Sequence, residues 1–169
     1  MVVDNLEWLS HLSHLEHLDM SKVNLSYVSN WLQVLNLSSN NFNSPLPDWF
    51  SSLSNLLSLI LSHNSFQGPI PNLTALRVLG LAWNKFNLTL PYWLNSFKHL
   101  EHLDLSNNAF HGSLPCQLEN LINLKDLDLR GNSFYGPIAM SIGGLKSLRF
   151  LDLSDNNFNG SLPESLGNL

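Results

Sequence analysis

The chain has 169 residues, an apolar fraction of 44% and a net charge of −5 with only 8 lysines and arginines. That length predicts one domain with a sizeable core, and the scarcity of cations argues against a nucleic-acid partner, since phosphate binding needs them clustered. The sequence lacks the run of roughly 18 apolar residues that a membrane-spanning helix requires.

The first five residues, Met1-Val2-Val3-Asp4-Asn5, have neither the basic start nor the apolar stretch of a signal peptide. Leucines then recur at Leu6, Leu9 and Leu12, and again at Leu15 and Leu18, but Val23 stands where an asparagine is wanted. Residues 1–34 are therefore expected to form irregular repeats, continuous with a regular array over residues 35–169.

From there the register is set by Asn40, Asn64, Asn84, Asn108, Asn132 and Asn156, spaced by 24, 20, 24, 24 and 24 residues. Each has leucines at −8, −5 and −3 and a phenylalanine at +2, giving L-x-x-L-x-L-x-x-N-x-F. The last two leucines share one face of a short strand, so stacked rungs form a parallel sheet. The asparagine sits where the chain leaves the strand, and its amide is expected to bond to backbone of its own rung and the next, because a buried polar group must be satisfied. No rung buries its apolar face alone, so stability comes from stacking.

After each phenylalanine comes a return such as Gly68-Pro69-Ile70-Pro71 or Gly112-Ser113-Leu114-Pro115. Ser44 and Leu88 replace its glycine in two rungs, and Ala139 replaces its last proline in another. All eight prolines lie in these returns, which are expected to lie outside the strands. One rung is short: Leu76 follows Pro71 by five residues, whereas Leu56 follows Pro47 by nine. The missing four are expected to come from the convex helical turn, with local distortion there.

The repeat with its F-x-G-x-[IL]-P return resembles the plant-specific class of leucine-rich repeats over nearly the whole chain. That class forms the ectodomains of plant receptor-like kinases and receptor-like proteins, and the polygalacturonase-inhibiting proteins. The segments from Asn5 to Ser10, His14 to Ser21 and Trp31 to Leu35 resemble the early repeats of defence-type receptor-like proteins. The resemblance implies an α/β solenoid, a horseshoe with a parallel sheet on its concave face, about six regular rungs and no catalytic activity. It also implies end caps with paired cysteines. Cys116 is the single cysteine, and the chain opens and closes inside repeats, so the array is expected to be uncapped at both ends and part of a longer protein at the plasma membrane or outside the cell.

Outward positions of the rungs are where ligand contacts are expected. Trp83 projects from a place that is polar or small in most other rungs, with Ile60 and Val78 close by and Gly80 leaving a gap, and His63 is a further outward candidate. An exposed tryptophan among apolar neighbours has the makings of a binding hot spot, or it lies flat over neighbouring side chains. Asp104, Asp128 and Asp152 form a column beside His102, to be screened by Arg130, Arg149 and Lys125. It reads as an acidic stripe for a basic peptide or as ordinary strand filler.

Five N-x-[ST] sequons occur, at Asn24, Asn36, Asn72, Asn87 and Asn159. A glycan on Asn36 would obstruct the concave face, which leaves the other four as candidates for glycosylation. Histidines at 11, 14, 17, 63, 99 and 102 do not converge in this register, so neither a metal nor another cofactor is expected. Cys116 follows Pro115 with no base predicted nearby and is expected to be a buried or half-buried thiol.

Two functions remain open on these grounds. One is recognition of a peptide, protein or microbial pattern by part of a receptor working with a co-receptor kinase. The other is inhibition of a microbial cell-wall-degrading enzyme, with a truncated remnant as a third outcome.

Overall fold

A computed structural model describes residues 32–90 and 92–169 of the chain. The irregular repeat around Val23, the sequon at Asn24 and the histidines at 11, 14 and 17 lie outside the described residues.

Each rung contributes one three-residue strand to a parallel sheet: β1 (Val34–Asn36), β2 (Ser58–Ile60), β3 (Val78–Gly80), β4 (His102–Asp104), β6 (Asp126–Asp128) and β8 (Phe150–Asp152). They run in the order β1-β2-β3-β4-β6-β8. The register never slips: Leu35 faces Leu59, then Leu79, Leu103, Leu127 and Leu151 in turn. These leucines, and the next leucine but one in each rung, fill the interior behind the sheet. Phe42, Phe66, Phe86, Phe110 and Phe134 back them, each 2% exposed or less. Neighbouring phenylalanine rings stack from rung to rung, with Phe110 and Phe134 at 6.3 Å and 6°.

The asparagines form the ladder, but it points the other way from the sequence expectation. From Asn64 to Asn156 each amide reaches back to the preceding rung, whereas Asn40 bonds only within its own. Asn108 Nδ2 donates to the carbonyl of Leu81 at 2.9 Å as well as to Leu105 and Ser106 of its own rung. Its Oδ1 accepts from the Phe86 N–H at 3.1 Å. The asparagine turns out of a strand whose predecessor has already laid down its free carbonyl and amide, so the satisfied partners lie behind it.

A second parallel sheet was not foreseen. β5 (His111–Gly112), β7 (Ser133–Pro137) and β9 (Asn157–Asn159) pair side by side in the returns. Pro137 therefore ends a strand, against the expectation that every proline lies outside them. It occupies the last position, where a missing N–H costs the ladder least. The return glycines Gly68, Gly112, Gly136 and Gly160 take φ between 78 and 89°, which explains the residue type.

Behind the returns, 3-10 turns cover the convex side at Asp48–Ser52, Tyr92–Ser96, Cys116–Asn120, Met140–Gly144 and Glu164–Asn168. The short rung has none between Pro71 and Leu76. The four missing residues come from the turn, as expected, while β2 and β3 keep full register, so the sheet itself is undistorted.

Candidate ligand-binding face

The concave sheet presents four outward columns, but they are not equally accessible. Val34, Trp83 and Phe150 are 60%, 53% and 46% exposed, and Ile60, Val78 and His102 are half-buried. Gly80, Ala82 and Ser106 are buried, although the pattern placed them outward. Small side chains sink between larger neighbours on a tightly stacked sheet.

The last outward position of every rung has a distinctive backbone. Ser39, His63, Trp83, Asn107 and Asp155 have φ between 52 and 57°, and Gly131 has 64°. The chain must swing into the left-handed region here to aim the following asparagine inward. Asparagine and glycine tolerate that region, whereas a bulky residue adopts it only under constraint. Trp83 therefore takes a backbone conformation that is costly for its type. Its indole stacks on the His63 imidazole of the preceding rung, with centroids 5.8 Å apart and planes 11° from parallel. Both readings of the sequence meet here: the ring does lie over a neighbour, and it still exposes half its surface.

Gly80 pairs with Ile60 in the sheet, and a Cβ there would make ordinary contacts with Ile60 Cγ2 and Ser62 Oγ at 3.5 Å. The concave face near the His63–Trp83 pair thus carries the half-buried Ile60 and Val78, with no side chain at Gly80.

The acidic column is mostly structural. Asp104, Asp128 and Asp152 each accept a hydrogen bond from the N–H two residues on, at 3.0, 3.1 and 2.9 Å. Asn36 does the same for Ser38 at 3.0 Å, which shows that the position calls for an acceptor rather than a charge. Arg130 lies between Asp128 and Asp152, at 3.6 and 3.7 Å. Lys125 is engaged elsewhere: it pairs with Glu101, which also holds Arg77 at 3.0 Å.

Burial pushes the Asp128 carboxyl above its ordinary range, with the charges of Asp104 and Asp152 adding to it against the Arg130 N–H and guanidinium. The hydroxyl and N–H of Ser154 hold Asp152 below that range. The Lys125 hydrogen bond is the main cause that lowers Glu101. His102 Nδ1 bonds the Asp126 carboxylate of the next rung, so the column next to the acidic one is also tied from rung to rung.

Three other expectations can be placed. Cys116 is exposed, not buried or half-buried, because it opens a 3-10 turn on the convex surface. Asn72, Asn87 and Asn159 are exposed, with Asn159 in β9. Among the described residues, no three histidine, cysteine or carboxylate side chains come together as a metal site would require. What the pattern could not show was the left-handed column. Its only sequence signal is asparagine and glycine at two of six equivalent places, Asn107 and Gly131.

Models of the leucine-rich repeat match residues 30–86, and residues 99–121, 123–145 and 147–169. Receptor-like protein 35 of Arabidopsis thaliana is 51% identical over 43 residues, which is 25% of this chain and 5% of that protein. Among solved structures, the ectodomain of the A. thaliana receptor kinase GASSHO1/SCHENGEN3, in complex with CASPARIAN STRIP INTEGRITY FACTOR 2, is 40% identical at a TM-score of 0.80. That alignment covers 85% of this chain and 18% of the receptor. The Arabidopsis receptor kinase HAESA, solved with the peptide hormone IDA and the co-receptor SERK1, is 36% identical at a TM-score of 0.74, over 79% of this chain and 23% of that one. The chain thus spans a small part of the length of each of these relatives.

Proposed function

This chain belongs to the leucine-rich repeat family, and we propose that it is a non-catalytic recognition module of a plant cell-surface receptor. In this reading its concave sheet binds a peptide or protein segment, and a co-receptor kinase carries the signal onward. The observation that carries it is the His63–Trp83 stack on the concave face, with the indole 53% exposed. A half-exposed aromatic anchor near the apolar Ile60 and Val78 is the arrangement in which a few residues hold most of a binding energy. Preformed strands bind with little backbone change, which keeps the ordering cost low. The peptide hormone and co-receptor in complex with HAESA support a peptide ligand and a co-receptor as the partner classes.

The test is a binding screen of the secreted chain against an array of synthetic peptides covering plant secreted-peptide sequences. Binders should lose at least tenfold in affinity in Trp83→Ala and in Gly80→Leu, and be indifferent to Tyr92→Ala on the convex side. Binders that ignore both concave substitutions would sink the proposal.

A further inference from the structure

The short rung leaves more than a missing turn. Between the Asp48–Ser52 turn and the return at Pro69–Pro71 lies a notch of about 300 Å³. Pro47, Pro69, Ile70 and Pro71 line it with apolar surface, and Asp48 and Ser51 give it a polar wall. The other turns from Tyr92 onward pack in a row, each against the next. The Asp48–Ser52 turn lacks such a neighbour on this side.

The sequon Asn72-Leu73-Thr74 follows directly on the notch. Asn72 stands where Asp48, Cys116, Met140 and Glu164 each begin a 3-10 turn in their own rungs. Here no 3-10 turn follows, and Asn72 and Thr74 are exposed on either side of the buried Leu73. That is the setting in which a sequon is accessible. The Asn72 Oδ1 accepts from Ser96 Oγ of the next rung at 3.0 Å, and Nδ2 carries the attachment. Asn36, by contrast, is a strand residue whose Oδ1 accepts from both the N–H and the hydroxyl of Ser38.

We propose that Asn72 is N-glycosylated and that the first sugar of its glycan seats in the notch, replacing the cover that the deleted turn would have given. In the transfer, Asn72 Nδ2 attacks the anomeric carbon of a lipid-diphosphate-linked oligosaccharide. The N–C bond forms as the C–O bond to diphosphate breaks; the lipid diphosphate leaves, and the amide proton passes to base in the transferase. The carbon face of the pyranose then rests on the prolines and Ile70, and its hydroxyls face Asp48 and Ser51. The site is on the convex side, so the glycan leaves the concave face open.

The chain is secreted from plant cells behind an added leader peptide, and its peptides are mapped by mass spectrometry after enzymatic deglycosylation in heavy-oxygen water. Asn72 should carry the label, and Thr74→Ala should abolish it. A bare Asn72 on the secreted chain, whether or not Asn87 and Asn159 are occupied, overturns the modification. For the seat, high-mannose protein is trimmed to one N-acetylglucosamine per site and compared with Thr74→Ala treated alike, which lacks the sugar but keeps the Asn72 side chain and its bond to Ser96. The single sugar should raise the melting temperature by roughly 2–4 °C, the shift expected for one modest contact in a chain this size. Equal melting temperatures overturn the seat in the notch.

Discussion

Asn132 Nδ2 donates to the Leu105 carbonyl, one rung back, at 3.0 Å. The same amide serves Leu129 and Arg130 in its own rung, and Oδ1 takes the Phe110 N–H at 3.0 Å. One buried side chain thus satisfies backbone groups that have no water to turn to. Asn132→Ala leaves the Phe110 N–H without a partner, while the Leu105, Leu129 and Arg130 carbonyls each keep a second donor, from Asn108, Asn156 and the Asn107 N–H. A buried N–H left unpaired costs roughly 1–3 kcal/mol, and that is the expected loss. Urea unfolding should show it, and Asn156→Ala, in a less buried rung, should lose less. Equal, small losses in both would mean that the ladder is not what binds rung to rung.

Trp83 sits at φ 54°. A left-handed backbone costs a bulky residue roughly 1–2 kcal/mol, while its stacking on His63 returns about 0.5–1.5 kcal/mol. The two nearly cancel. Trp83→Asn should therefore melt within about 2–4 °C of the parent, a shift worth no more than roughly 1 kcal/mol, while abolishing peptide binding. This separates a residue kept for recognition from one kept for stability. A large drop in melting temperature would assign the indole to the fold.

Much of this was legible because the core is repetitive. Leucines and asparagines at fixed spacing announce the strand, its register and the ladder, since each of those positions has the same packing role in every rung. The short rung was legible for the same reason: with the strand and return spacings fixed, only the turn between Pro71 and Leu76 could have lost four residues. The direction of the ladder was not, because a backbone partner leaves no mark on sequence. Nor was the second sheet, whose strands β5, β7 and β9 are defined by Gly112, Gly136 and Gly160 rather than by alternating apolar residues. The aspartate column misled in part. Its members look like charges for a ligand, but Asn36 making the same hydrogen bond shows that the site needs an oxygen.

Acid should weaken the fold. Glu101 and Asp152 are held below their ordinary ranges in the folded chain, so the stability they contribute is present above the unfolded carboxylate range and is lost as pH falls through the folded values. Asp128 is raised, so its sign is opposite: the folded chain takes up its proton first, and this group gains stability as pH falls through its folded value toward the unfolded range. Asp128→Asn keeps the oxygen for the Arg130 N–H and removes that compensation. Melting temperatures from pH 7 down to about pH 3 should fall in the parent and fall more steeply in the variant. A shallower decline in Asp128→Asn would contradict the direction assigned to this carboxyl.

Two glycines make the last contrast. A Cβ on Gly143 would meet the Ser165 backbone oxygen at 2.3 Å and its carbonyl carbon at 2.7 Å. The Met140–Gly144 turn packs on the Glu164–Asn168 turn only because nothing projects there. Gly143→Ala must push the two apart, at a cost of about 1–3 kcal/mol for overpacking. At Gly80 the nearest atoms are ordinary contacts at 3.5 Å, and φ is not in the left-handed region, so Gly80→Ala should be accepted by the fold. It adds a methyl to the concave face, however, and should weaken peptide binding without moving the melting temperature. Thermal unfolding and peptide titration on both variants check the pair. If Gly80→Ala leaves binding unchanged, the ligand does not lie over Gly80 and sits further along the sheet, toward His102 and Phe150.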